Sequence, residues 1–386
     1  MTIYLYISNT PIVEHIPIYV DAEKISLTAA NFNLQILEAM NSRKCKTISI
    51  FNSNLDLNKR NESEIITVNQ YQSFIYFYNA NFMFKLLTLI KFIRKNRKEK
   101  FNIICDSLSL ENSLLGLILS KIFRIKIVSI TTDLPRFFYN PINHKLKDLL
   151  FARIGEFSLH FYNGYVLLSE YMSYEKFANT KPKLVIEGVC NVDFSETQIN
   201  DVKDQSNKIF IYSGTLNNDS GVLTFMRAFE KANLQNIVFE IYSGDKTYKE
   251  FTDLLAENIK FMGYLPIKDL RMKLKVAHLL INPRPVELDF NRFSFPSKLI
   301  EYMASGTPVI TTNLPNIPKL LLDTLYFFEK DDMEGIQKGL YQFLNSDQLQ
   351  SKIKGENAKR IIEENYSHLI VGEKIFKLFQ EINDEN

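Results

Sequence analysis

What this chain has little of narrows its function before any motif is read. It holds only three cysteines, Cys45, Cys105 and Cys190. They are isolated, with no paired spacing and no Cys or His nearby, which excludes a zinc cluster and a disulfide framework and points to a reducing cytosol. Neither sign of charge is in excess. With 46 Lys and Arg against 44 Asp and Glu, the formal net charge of +2 gives no global attraction for nucleic acid. No uninterrupted apolar run reaches membrane-spanning length, and the opening MTIYLYIS lacks a basic start and is too short for a signal peptide. No Asp-x-Asp pair and no histidine-rich set offers ligands to a divalent metal.

What is there describes a two-domain α/β protein. A chain of 386 residues exceeds what one core usually supports, and 46% apolar with 23% charged is globular. Short β-branched or aromatic runs alternate with helical patterns, the signature of parallel sheets wrapped by helices on both faces. Strands are expected at 3–7, 47–51, 103–105, 127–131, 165–168 and 184–186, and helices at 28–42, 81–97 and 111–123, with another opening at 169–172. Residues 52–64 read as a surface loop. A polar run without apolar periodicity, 191–207, reads as the linker between a first domain, 1–190, and a second, 208–365.

The 81–97 helix ends in a basic cluster of Arg94, Lys95, Arg97, Lys98 and Lys100. Two readings stand: a core-packed helix with a solvated basic end, or an in-plane anchor on anionic lipid. Asp133 lies just past a strand's carboxyl end, where open α/β sheets place ligands, but a turn carboxylate before Pro135 would look the same. His144 and His160 lie on the aromatic, basic segment 136–162, and acceptor contact cannot be told from helix packing there.

The densest signal is FPSKLIEYMASGTPVI at 295–310. Proline at a first helical position, apolar residues 299, 300 and 303, and Gly306-x-Pro308 as a stop predict a helix of about ten residues. Its cap position falls on Phe295, whose side chain accepts nothing, so the first amides stay unspent. Lys298 adds a cation where the macrodipole is already positive, which a bound anion would reconcile. Ser297 adds a hydroxyl there, and Glu301 lies on the same face about 6 Å along the axis, the distance from a diphosphate to its ribose. A buried helix with a plain Lys298–Glu301 pair is the simpler alternative. Two strand ends repeat the theme: Gly214 would let backbone approach a phosphate, and Arg284 would reach one through a planar fork.

This segment resembles the nucleotide-sugar signature of GT-B glycosyltransferases of the family 4 type. The likeness continues through Ile281-Asn282-Pro283-Arg284 and Tyr212-Ser213-Gly214-Thr215. The resemblance implies two Rossmann-like domains facing each other across a cleft, with the last helix, 366–386, crossing back onto the first. It implies that Gly214, Thr215, Ser297 and Lys298 meet the donor diphosphate and that Glu301 binds the ribose. Gly263 then meets the base, Tyr264 lines or stacks on it, and Asp133 faces the sugar or acceptor.

The chain departs from the family pattern in three places. Thr215 and Ser220 stand where two cations are common, and Phe293 stands where a carboxylate is common, leaving Glu287 or Asp289 as replacements.

The expected activity is retaining, metal-independent transfer from a nucleotide sugar to a glycan or lipid-linked acceptor, needing no cofactor. Lys298 and Arg284 would stabilise the leaving diphosphate, with Asp133 beside the reaction. A bacterial surface-polysaccharide role, such as capsule or lipopolysaccharide synthesis, on the inner face of the cytoplasmic membrane follows from the family. Nucleic acid is not an expected partner. A catalytically silent nucleotide-sugar-binding partner and a sugar-nucleotide epimerase remain as alternatives.

Overall fold

Strand and helix alternate as the pattern of apolar runs requires, and they assemble into two units, Met1–Val189 with His368–Asn386, and Cys190–Ser367. A computed structural model describes residues 2–8, 27–42, 45–53, 61–138, 146–190, 207–245, 247–287 and 289–384. Residues 191–206 of the expected linker, and His144, lie outside the described residues.

The first unit is built on eight strands: β1 (Thr2–Ile7), β2 (Lys46–Ser53), β3 (Glu62–Asn69), β4 (Gln72–Tyr78), β5 (Lys100–Asp106), β6 (Lys126–Thr131), β7 (Gly164–Leu167) and β8 (Lys183–Val185). Their order is β3-β4-β2-β1-β5-β6-β7-β8, parallel except for the β3–β4 pair. Strand β4, QSFIYFY, is buried throughout, which is why it reads as a continuous apolar run rather than an alternation. Strand β3 is the opposite case. It is an edge whose residues face solvent, so burial left no period in its sequence. The loop expected at 52–64 is corrected on this account: 52–53 finish β2, 62–64 begin β3, and 54–60 lie outside the described residues.

Helices α1 (Leu27–Ser42), α2 (Phe82–Lys95), α3 (Leu110–Phe123), α4 (Pro135–Phe138), α5 (Leu146–Leu159) and α6 (Glu170–Ser173) join these strands. Asn81 and Ser109 accept the Phe84 and Asn112 amides, so α2 and α3 start where their side-chain caps lie. The helix expected to open at 169 is only the short α6.

The second unit has six strands: β9 (Lys208–Ser213), β10 (Ile237–Tyr242), β11 (Ile259–Gly263), β12 (Leu279–Asn282), β13 (Val309–Thr311) and β14 (Tyr326–Phe327). All are parallel, in the order β11-β10-β9-β12-β13-β14. Around them lie α7 (Val222–Ala232), α8 (Lys249–Thr252), α9 (Ile267–Val276), α10 (Ser297–Ala304), α11 (Lys319–Leu322), α12 (Met333–Leu344) and α13 (Gln348–Tyr366). Phe210, Phe225, Phe229, Phe239 and Phe343 form one core cluster, to which α7 and α12 contribute. Gln337 and Tyr341 of α12 tie the two helices together by donating to carbonyls of α7 at 3.1 Å. Leu299, Ile300 and Met303 of α10 pack with Ala358 and Ile362 of α13 in a second cluster.

The chain then returns to the first unit as α14 (His368–Asp384). Its Val371, Ile375, Leu378, Phe379 and Ile382 are all buried, and Phe379 meets Tyr4 of β1 edge to face at 5.2 Å. Each such side chain stabilises the unit by up to roughly 1.5–3 kcal/mol, so the helix belongs to that core.

Candidate functional site

In the second unit the chain winds outward from β9 on one side and from β12 on the other. The carboxyl ends of these two neighbours therefore flank the crevice where open α/β sheets hold ligands. Gly214 leaves β9 with φ +144°. A Cβ there would lie 2.9 Å from Lys298 Nζ and 3.3 Å from Tyr212 Oη, so the turn and the ammonium meet closely, at a backbone angle that favours glycine.

Lys298 donates to Tyr212 Oη at 3.1 Å and stands 4.2 Å from the centroid of its ring. The Tyr212 hydroxyl in turn donates to the Thr215 carbonyl at 2.7 Å, and the Leu216 amide donates to the Asp245 carboxylate at 2.6 Å. Helix α10 is fastened to the same strand end. The Ser213 amide donates to Tyr302 Oη at 2.6 Å, and Tyr302 donates to the Ser213 carbonyl at 3.1 Å. From β12, Pro283 leads to the half-buried Arg284, whose carbonyl accepts the Thr312 hydroxyl.

Burial pushes the Lys298 ammonium down to about 7, and the positive Arg284 nearby pushes it the same way. Two cations held together against their own repulsion favour whatever anion enters between them. Helix α10 adds to this, since its cap residue, Pro296, offers no side-chain hydrogen bond. Further along α10, burial pushes the Glu301 carboxyl up, against the opposing charge of Arg271 on α9.

The expectations for α10 need correction. The cap of α10 is Pro296 rather than Phe295, because the helix begins one residue later, and it has eight residues rather than about ten. Phe295 is buried in the core instead. The simpler Lys298–Glu301 pair does not form; Lys298 turns back to Tyr212. Thr215 engages through its carbonyl while the residue itself is exposed. Ser297 opens α10, half-buried. Gly263 ends β11 at φ +74°, and Tyr264 beside it is 54% exposed. Glu287 is exposed on the loop after Arg284.

Asp133 belongs to the first unit, two residues past β6, close enough for its charge to act on Asp106 at the end of β5. Burial, with Asp133 adding to it, pushes the Asp106 carboxyl up to about 6 although the Leu108 amide stabilises its ionised form. In the second unit, Tyr212, Asp245 and Tyr302 are contributions that reading the sequence did not assign. Tyr212 carried a usable signal, an aromatic hydroxyl two residues before the glycine of a strand-end turn. Tyr212→Phe is expected to release Lys298 from its seat and lower turnover roughly tenfold, with about 1 kcal/mol of stability lost; denaturant titration beside a transfer assay reads both.

Residues 207–346 match the family model of glycosyl transferases group 1. No curated protein matches the chain in sequence. Solved structures match along the whole length. A sucrose-phosphate synthase from Thermosynechococcus elongatus is 13% identical, with 100% of each chain covered and a TM-score of 0.76. Anabaena HepE in complex with UDP and glucose is 12% identical over 98% of this chain and 99% of that one, with a TM-score of 0.66. A trehalose-6-phosphate synthase, studied for glycosyl transfer with retention, is 10% identical over 98% and 99%, with a TM-score of 0.65. With a group 1 domain match in its second unit and a fold shared with GT-B glycosyltransferases, the protein is a glycosyltransferase.

Proposed function

We propose that the second unit binds a nucleotide-sugar donor and that the enzyme transfers its sugar with retention, without a metal ion, to a glycan or lipid-linked acceptor. The observation that carries this is the meeting of Lys298, Arg284, the Gly214 turn and the uncapped start of α10 at neighbouring strand ends, with Glu301 one turn on. In this reading Lys298, Arg284 and the α10 amides take up the charge that develops on the departing diphosphate. Glu301 accepts the ribose hydroxyls and does no proton chemistry. The departing phosphate itself helps remove the acceptor proton. Gly263 and Tyr264 border the base, and Asp133 stands on the acceptor side.

UDP, the nucleotide held by Anabaena HepE, is the donor base to try first. Thermal stabilisation by a panel of UDP-, GDP- and ADP-sugars, followed by transfer and hydrolysis assays, tests the proposal; stabilisation without either reaction would instead describe a silent binding partner. Glu301→Gln is expected to weaken donor binding about 10–100-fold with a smaller fall in kcat. Calorimetric titration of the variant checks it, and unchanged affinity would remove Glu301 from the ribose.

A role in surface-polysaccharide synthesis at a membrane is part of the same proposal. Among the described residues no helix is long and apolar enough to cross a bilayer. Helix α5 and the turn after it, however, leave Leu146, Leu150, Phe157 and Phe161 to solvent at 55–85% exposure, a stripe suited to an apolar surface. Co-sedimentation with anionic vesicles, absent for Phe157→Ser/Phe161→Ser, is the expected result.

A further inference from the structure

We infer that the first unit carries a second binding site, for a phosphorylated polyol, at the end of its sheet opposite Asp106 and Asp133. A cavity of about 640 Å³ opens there, a size ordinary for a small-molecule site. It is lined by Arg94, Arg97, Lys100, Arg124 and Lys126, with Glu99 as a carboxylate among them. The five cations come from different elements: the last turn of α2 and the residues after it, the C-cap of α3, and the first residues of β5 and β6. Among the described residues none of them has an ion pair or a side-chain hydrogen bond.

Helix carboxyl ends attract cations, which accounts for Arg94 and Arg124 but not for the lysines at two strand starts. A second feature points to a ligand. Asn102 lines the cavity at 2% exposure, and its carboxamide oxygen has no hydrogen-bond partner. A buried orphan acceptor is costly, and a phosphate cannot satisfy it; a ligand hydroxyl can. Arg124 moreover holds φ 54° at the position where helices usually end in glycine, so the backbone is strained to keep a guanidinium there. Phosphate oxygens for the guanidinium and ammonium groups and a hydroxyl for Asn102 together define a phosphorylated polyol. A free sugar phosphate and a phospholipid headgroup share that chemistry.

The test uses the full chain. Glucose 6-phosphate is titrated by calorimetry, and vesicles of phosphatidylcholine with phosphatidylinositol are tested by co-sedimentation. Binding of either probe is expected, weakened at least about tenfold in Arg97→Gln/Arg124→Gly and in Lys100→Gln, and unchanged in Lys298→Met. Arg124→Gly relieves the left-handed strain, so the double variant is expected to fold. Saturation by glucose 6-phosphate identifies a soluble ligand, and binding confined to vesicles identifies a headgroup. Binding of neither probe, binding that survives both basic-site variants, or loss only in Lys298→Met overturns the site.

Discussion

Lys298→Met will make the second unit harder to melt and unable to hold a nucleotide sugar. The half-buried Lys298 has its ammonium packed against Tyr212 and near Arg284, and desolvation with that repulsion pushes it down to about 7, below the usual lysine range. Keeping that charge costs folding free energy which an apolar side chain of similar length does not. Tyr212 loses only an incoming bond, since its own hydroxyl still donates to the Thr215 carbonyl. A gain on the order of 1–4 kcal/mol follows, or roughly 2–4 °C in Tm for each kcal/mol in a unit of this size.

The pH dependence has a defined sign. Between about pH 7, where folded Lys298 releases its proton, and about pH 10.4, where an unfolded lysine does, the unfolded chain binds more protons. Wild-type stability therefore rises with pH across that window. The variant's advantage is largest at or below pH 7 and fades toward the upper limit. Donor affinity is expected to run the other way in the wild type, because in the proposed function it is the protonated form that holds the diphosphate, and that form is lost above about pH 7. Turnover in the variant is expected to fall roughly 10²–10³-fold. Differential scanning calorimetry across pH, beside transfer kinetics, checks both; a variant that melts no higher and still turns over would reject the site as described.

Gly221→Ala is the second large effect. Gly221 caps α7 at φ +72°, and a Cβ there would stand 1.9 Å from the Pro283 carbonyl oxygen and 2.8 Å from its carbon. Neither contact can be relieved by turning a flexible side chain, since both are to backbone. The start of α7 or the Pro283–Pro285 segment must move, and Arg284 lies in that segment. A loss on the order of 3 kcal/mol or more in stability is expected, as for other forced overpackings with backbone strain, together with loss of donor affinity. Gly214→Ala, where the close contact is the end of a lysine side chain, should be milder in stability and comparable in affinity. Chemical denaturation of the two variants side by side measures the contrast.

Only part of this arrangement was legible beforehand. The strands β1 and β6 are buried on both faces, so their apolar runs marked them directly, and the 295–310 signature announced its helix. Strand β3 escaped because an exposed edge strand has no burial pattern to read. Tyr212 escaped as a seat for Lys298 because 86 residues separate the two, and no local rule connects them. The cap of α10 was misplaced by one residue because proline is acceptable both at the cap and just inside a helix.

Residue order by itself determined the alternation of strand and helix, the isolation of the three cysteines, and the presence of a lysine and a glutamate one turn apart behind an uncapped helix start. Those are short-range matters, set by periodicity, side-chain chemistry and propensity. Tertiary structure alone decided that Lys298 faces Tyr212 rather than Glu301, that Arg284 shares its neighbourhood, that Gly221 abuts Pro283, and that five scattered cations of the first unit line one cavity with Asn102. Each of these depends on which strands lie side by side, and strand order is a property of the packed core as a whole.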